Sequence, residues 1–144
     1  YICAQRGGGA WRVDASGRRT RLSVADATAT LEDMSGFVGM GLYPVETRAR
    51  LAPLLTEFVR VWTLRASAFE YRMLAQGAVH FGLNAHLKPW DHAAGHLIHA
   101  EAGGHGALID GTPYRPALNE GRLLLAPDRD SWQALADRFG PALG

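Results

Sequence analysis

Long apolar runs are missing from this chain. None approaches the roughly 20 residues that cross a bilayer, which excludes a transmembrane helix and gives no reason to expect a membrane partner. The opening residues show no secretory signal pattern. Cysteine occurs once, at Cys3, so an intramolecular disulfide framework is excluded, and a reducing, cytoplasmic setting is the expectation. Charge of one sign is not in excess. Fifteen Lys and Arg against fourteen Asp and Glu leave a formal net charge of +1, which supplies no electrostatic footprint for nucleic acid, and no such partner is expected. Internal repeats and low-complexity linkers are absent, so a solenoid or a string of domains is not expected. An initiating methionine is missing too. Tyr1-Ile2-Cys3-Ala4 reads like the interior of a strand, and a cut through a longer protein is expected.

What is present suffices for one core: 144 residues, 47% of them hydrophobic. Short apolar pieces at 1–4 and 10–13 flank a tight turn at Arg6-Gly7-Gly8-Gly9, and 15–19 reads as a second turn. A strand is expected over 34–40. A helix is expected over 45–58, where Val45, Ala49, Ala52 and Leu55 recur three or four apart. Then come a strand over 59–64, a helix over 67–76 closed by Gly77, and a strand over 79–83. A helix over 91–102, strands over 105–109 and 122–126, and a last helix over 130–139, ended by Gly140-Pro141, complete the pattern. This alternation predicts a single α/β unit over 1–144, a mixed sheet with helices packed on it.

The helix expected from Asp91 carries the most chemistry. Asp91 suits an N-cap, and the positive end of the helix dipole favours negative charge there, ready to hold a cation. Gly103 suits the left-handed residue that closes a helix. At 100° per residue, Ala94, Leu97, Ile98 and Glu101 share one side, and His92, His96 and His99 the other. The apolar side is expected to face the sheet and the histidines to face solvent. Glu101 reads first as a structural cap on the N–H groups of the following glycine turn, and second as support behind a metal ligand.

His92 and His96, spaced i, i+4, raise a zinc alternative with His99 or His105 as a third ligand. The zinc-peptidase pattern H-E-x-x-H needs a glutamate where Ala93 stands, so the solvated face is the preferred reading. Ser67 and Glu70 form an S-x-x-E capping box, which predicts a helix start at Ser67. Helix N-termini suit anionic or hydroxyl-rich ligands, although a capping box is more often local stabilisation. Asp110-Gly111-Thr112, before Pro113, is expected to be a plain turn.

Two runs then acquire a joint meaning. Trp90-Asp91-His92-Ala93-Ala94-Gly95 and Glu101-Ala102-Gly103-Gly104 together resemble the carboxy-terminal signature W-D-x-A-A-G … E-A-G-G of the inositol monophosphatase family. The resemblance implies the carboxy-terminal half of a layered sugar-phosphatase fold and a Mg2+-dependent phosphomonoesterase, with Asp91 as a metal ligand. It implies a substrate wall at Ser67 and Ala68, in register with the family's G-[ST]-A-A, and at Asn84, where inositol-specific members carry an acidic residue. Ala66 and Phe69 depart from that segment, and Asn84 removes a charge, so inositol phosphate itself is not singled out. The family's D-P-[IL]-D-G-T and G-E-E segments do not occur, since Ala107 stands where Asp110-Gly111-Thr112 would need its first aspartate. The resemblance therefore implies one metal-binding Asp and part of the pocket for a small polyol, sugar or related phosphate. It implies a segment inactive alone and a homodimer as a candidate state of the intact protein. The alternative is a non-catalytic ligand-binding or interaction domain of the same fold.

Overall fold

The computed structural model describes residues 1–27 and 30–144. Strands β1 (Ile2–Gln5), β2 (Gly9–Val13) and β3 (Arg19–Arg21) form an antiparallel three-stranded sheet, here sheet A. Strands β4 (Ser35–Val38), β5 (Arg60–Trp62), β6 (Phe81–Asn84), β7 (His105–Leu108) and β8 (Leu123–Ala126) form sheet B, in the order β5-β4-β6-β8-β7. Sheet B is mixed: β4 runs parallel to β5 and β6, while β8 is antiparallel to β6 and β7. The helices are α1 (Val45–Leu55), α2 (Ser67–Ala75), α3 (Pro89–Glu101) and α4 (Arg129–Leu143). Among the described residues no helix is long and apolar enough to cross a membrane.

The chain order dictates the layers. β5 lies on one side of β4 and β6 on the other, so the chain reverses direction across the sheet after β5. Crossovers of one hand then place α1 and α2 on opposite faces. One face carries α1 and α4 over Phe81, Leu83, Leu124 and Ala126; the other carries α2, through Leu74, over Phe37, Leu123 and Leu125. α3 packs beside α2 on that second face, and its far side is covered by sheet A, where Ala102 and Ile98 meet Ala10 and Leu22. The α/β class and the mixed sheet are as the sequence predicts; the separate sheet A is not foreseen.

Several boundaries move for identifiable reasons. β3 begins at Arg19, the end of the expected turn, and is not foreseen as a strand because its residues are all exposed and carry no apolar pattern. α1 stops at Leu55, with the Thr56 hydroxyl donating to the Pro53 carbonyl at 2.7 Å, and Phe58 turns into the core between Phe81 and Phe139. α4 does not end at Gly140-Pro141 but runs through it. Phe139 and Ala142 are both buried, so continuing the helix buries apolar surface, while Pro141 forfeits only one backbone bond near the helix end. Asp110 accepts from the Thr112 N–H at 2.9 Å, and Gly111 has φ +86°, which makes the expected turn.

The largest correction concerns α3. Its histidine side is not solvated: His92 and His99 are 5% and 1% exposed, and they face α2 and sheet B. The side with Ile98 and Glu101 faces sheet A, a second sheet that periodicity alone does not reveal. Glu101 accepts from the N–H groups of Gly7 and Gly9, at 2.7 and 2.9 Å, and not from its own following glycine turn. It therefore pins the β1–β2 turn to α3, and these bonds hold its carboxyl below the usual range.

His99 is packed so closely that a Cβ on Gly104 would lie 2.6 Å from its Nδ1. Among the described residues neither ring nitrogen has a hydrogen-bond partner. Burial, and then the neighbouring His96 and His105, push its pKa down to about 3. An unfolded histidine takes a proton near pH 6.5, whereas this one stays neutral to about 3. Stability present above pH 6.5 is therefore lost progressively as pH falls toward 3, by about 2 kcal/mol at pH 5. Urea melts at pH 7 and pH 5 should show that loss, and His99→Gln should flatten the dependence whatever its own stability. An unchanged slope in that variant would show that other groups carry it.

Candidate functional site

Three parallel strands end on one edge of sheet B, at Val38, Trp62 and Asn84. In open α/β sheets the crevice outside such carboxyl ends is where ligands bind. β5 leads into α2 and β6 into α3, so two helix N-termini open toward that edge, at Ser67 and Pro89. Each presents backbone N–H groups with no intrahelical partner.

Asp91 is not the N-cap. Lys88 holds that position, Pro89 takes the first helical turn, and Asp91 is the third residue of α3. Proline is pre-organised for a first turn and has no N–H to lose there, which moves the start two residues upstream. Asp91 remains next to the positive end of the helix dipole, and it is exposed at the edge of the crevice. Its Oδ1 accepts from the Ser67 hydroxyl at 3.1 Å.

Ser67 is free for that contact because the capping box does not form. Ala66 is the N-cap of α2, without a side-chain bond. Glu70 turns back to the incoming chain and accepts from the Leu64 N–H at 2.7 Å and the Thr63 hydroxyl at 2.8 Å. That sharp entry puts Arg65 at φ +55°, a left-handed conformation that non-glycine residues seldom adopt. The tight turn aims Ser67 at α3.

Of the residues singled out in the sequence, Ser67 and Asp91 are thus brought into direct contact. Asn84 ends β6 on the α2 face, its Nδ2 3.9 Å from where a Cβ of Gly82 would stand. It shares the crevice face but is hydrogen-bonded to neither of them. Ala68 lies on the outer side of α2 with Phe69, which is 60% exposed. Both line a groove of about 540 Å3 against Tyr1, Ile2 and Val13 of sheet A. Trp90, beside Asp91, is 79% exposed, with the Lys88 ammonium 5.9 Å from its ring. The sequence reading missed Tyr71, whose hydroxyl lies 3.0 Å from Nδ1 of the buried His92. The signal for it was present in Gly95, a glycine inside a helix, which marks a close approach.

The zinc alternative finds its histidines engaged elsewhere. His92 meets Tyr71, and Nε2 of His96 lies 3.1 Å from the Gly106 carbonyl. Burial lowers the pKa of both rings. Among the described residues no group of three or more His, Cys, Asp or Glu is arranged to hold a metal ion. Asp91 fits the role of a single oxygen donor; Mg2+, which takes octahedral oxygen coordination, is not enclosed by these residues alone.

A crevice at the carboxyl ends of parallel strands, lined by two helix N-termini and a carboxylate, is the kind of place where open α/β sheets bind ligands. Residues 2–141 match the model of the inositol monophosphatase family, and the chain belongs to that family. It is 34% identical over 112 residues to a histidinol-phosphatase of Streptomyces coelicolor, a match covering 72% of this chain and 42% of that protein. Inositol monophosphatase II of Staphylococcus aureus superposes with a TM-score of 0.78 at 20% identity, covering 96% of this chain and 50% of that one. An inositol monophosphatase from Anabaena gives 0.70 at 23%, with 95% and 58% covered. These structures share the fold, and the chain spans about half their length.

The α2–α3 contact is set by Gly95, where a Cβ would reach 2.7 Å from Cδ1 of Tyr71 and come closer still to its Cγ and Cδ2. Alanine would gain about 1 kcal/mol in helix propensity, but overpacking at a rigid ring costs about 1–3 kcal/mol. Steric overlap wins here, since neither helix can retreat from the sheet. Gly95→Ala should lower the melting midpoint and lengthen the Ser67–Asp91 contact, both readable by thermal melting and a crystal structure of the variant. A more stable variant with α2 and α3 unmoved would contradict this packing.

Proposed function

We infer that this chain supplies one metal-binding carboxylate, Asp91, and part of the substrate wall of a Mg2+-dependent phosphomonoesterase. Its substrate is a polyol, sugar or related small phosphate. The single observation that carries the reading is the exposed Asp91 carboxylate, gripped by Ser67 where two helix N-termini meet at the carboxyl edge of sheet B. Family membership supports it. A bound Mg2+ would neutralise phosphate charge and lower the pKa of a water. For this chain, Asp91 offers one oxygen ligand, Ser67 holds that carboxylate, and the N–H groups that open α2 face the substrate side. Asn84 offers hydrogen bonds to substrate hydroxyls or amines without a charge.

The remaining oxygen ligands come from the other half of the fold, so the chain is inactive by itself. Two features support that division. Among the described residues the outer edge of β1 is unpaired in sheet A, beside the groove that exposes Tyr1 and Phe69. Coverage of only about half of each relative points the same way. The same reading takes the cytoplasm as the setting and a homodimer as the intact assembly.

The test is phosphate release with Mg2+, on the chain alone and joined to an amino-terminal portion carrying a D-P-x-D-G-T segment. The substrates should include inositol, sugar and histidinol phosphates, the last because of the Streptomyces relative's name. Activity should appear only in the joined form, and Asp91→Asn should reduce it by about a hundredfold or more, with the melting midpoint nearly unchanged. The amide still accepts from Ser67 but cannot offset the charge of a divalent ion or of the transferred phosphoryl group. Full activity in Asp91→Asn would remove Asp91 from the metal site. Mg2+-dependent turnover by the chain alone would overturn the division of labour.

A further inference from the structure

We propose that Tyr71 and His92 form a clasp that positions Asp91 and the 85–88 segment leading into it, a role resting on the reading of Asp91 as metal ligand. Tyr71 lies one helical turn after Ser67, so both project from the same side of α2. They engage consecutive residues of α3: the Ser67 hydroxyl reaches Asp91 at 3.1 Å, and Tyr71 Oη lies 3.0 Å from Nδ1 of His92. Consecutive helical residues point about 100° apart. Two such bonds from one side therefore fix the rotation of the first turn of α3 as well as its distance from α2.

The two bonds are unequal. Ser67–Asp91 is exposed, where water competes for both partners. Tyr71–His92 is buried, and breaking it removes a hydrogen bond where water does not compete for the partners. Gly95 admits the Tyr71 ring against the α3 backbone, which brings its hydroxyl within reach. The backbone of His86 also lies beside the His92 ring, where it favours the ring's charged form against burial. One imidazole thereby joins α2, the first turn of α3, and the segment between Asn84 and Asp91. Tyr71 and His92 are positioning residues: they touch no ligand, and they hold the carboxylate through the backbone that carries it.

Tyr71→Phe keeps the ring on Gly95 and removes the hydroxyl. Amide hydrogen exchange on the chain should then accelerate at Asp91, His92 and 86–88, while the second half of α3 keeps its protection. In the active, joined form, Mn2+ affinity followed by electron paramagnetic resonance should fall about tenfold, with KM for the phosphate ester little changed. His92→Phe should reproduce both effects, and it replaces Tyr71→Phe if that variant does not fold. Unchanged exchange at 86–92, or acceleration spread evenly along α3, would overturn the clasp. Asp91→Asn serves as the reference: if Mn2+ affinity survives that substitution, the metal reading fails. A local rise in exchange in Tyr71→Phe would then still stand as evidence for the contact itself.

Discussion

Burial of α3 on two sides is the constraint on which the rest of this molecule depends. A helix lying on one sheet keeps a solvent face for its polar residues. α3 lies between sheet B and sheet A, beside α2, and its three histidines have to be accommodated inside. Each is handled differently. His92 is hydrogen-bonded to Tyr71, and His96 to the Gly106 carbonyl, while His99, without a partner among the described residues, is kept neutral at a cost that grows as pH falls. Glu101 turns the other way and ties down the glycine turn of sheet A. The histidine ring contacts and the glycine approaches at positions 95, 104 and 106 belong to one design: small residues let bulky rings fit between close layers.

That packing has a consequence at the helix end. Only the first turn of α3 reaches the crevice, and it emerges from a buried, hydrogen-bonded base. Asp91 is exposed to solvent, yet its backbone is anchored by the layer beneath it. An exposed side chain on an anchored backbone suits a ligand for a small, strongly hydrated cation, which needs oxygen donors at defined angles. The α2 entry works to the same end, since Glu70 holds the Thr63–Leu64 approach and leaves the Ser67 hydroxyl for Asp91.

The exposed groups around the site give the complementary half of the account. Trp90 and Phe69 are large, apolar and uncovered, and both adjoin residues of the proposed site. Isolated exposed apolar residues are ordinary. Trp90 stands at the crevice and Phe69 in the groove against sheet A, whose outer β1 edge is unpaired among the described residues. Among the described residues no group of three or more His, Cys, Asp or Glu is placed to hold a metal ion, so the proposed site would need oxygen donors beyond Asp91.

Local signals carried much of this into the sequence. The start of α2 at Ser67, the Asp110-Gly111 turn, the mixed α/β character and the W-D-x-A-A-G run were all legible, because each rests on neighbouring residues or on a short period. The start of α3 was misplaced by two residues because proline at a first turn was outweighed by a good capping residue. Periodicity also divided α3 correctly into two sides but assigned each to the wrong neighbour, since a period gives the phase of a helix and says nothing about what lies against it. The capping box failed for a similar reason: Ser67 found a better partner 24 residues away. Glu101 bonds across 94 and 92 positions, a distance no local pattern encodes. By itself, the sequence determined which elements form and which residues carry charge. Only the tertiary structure decided which faces are buried and which polar groups meet, because those depend on a second sheet brought close by folding.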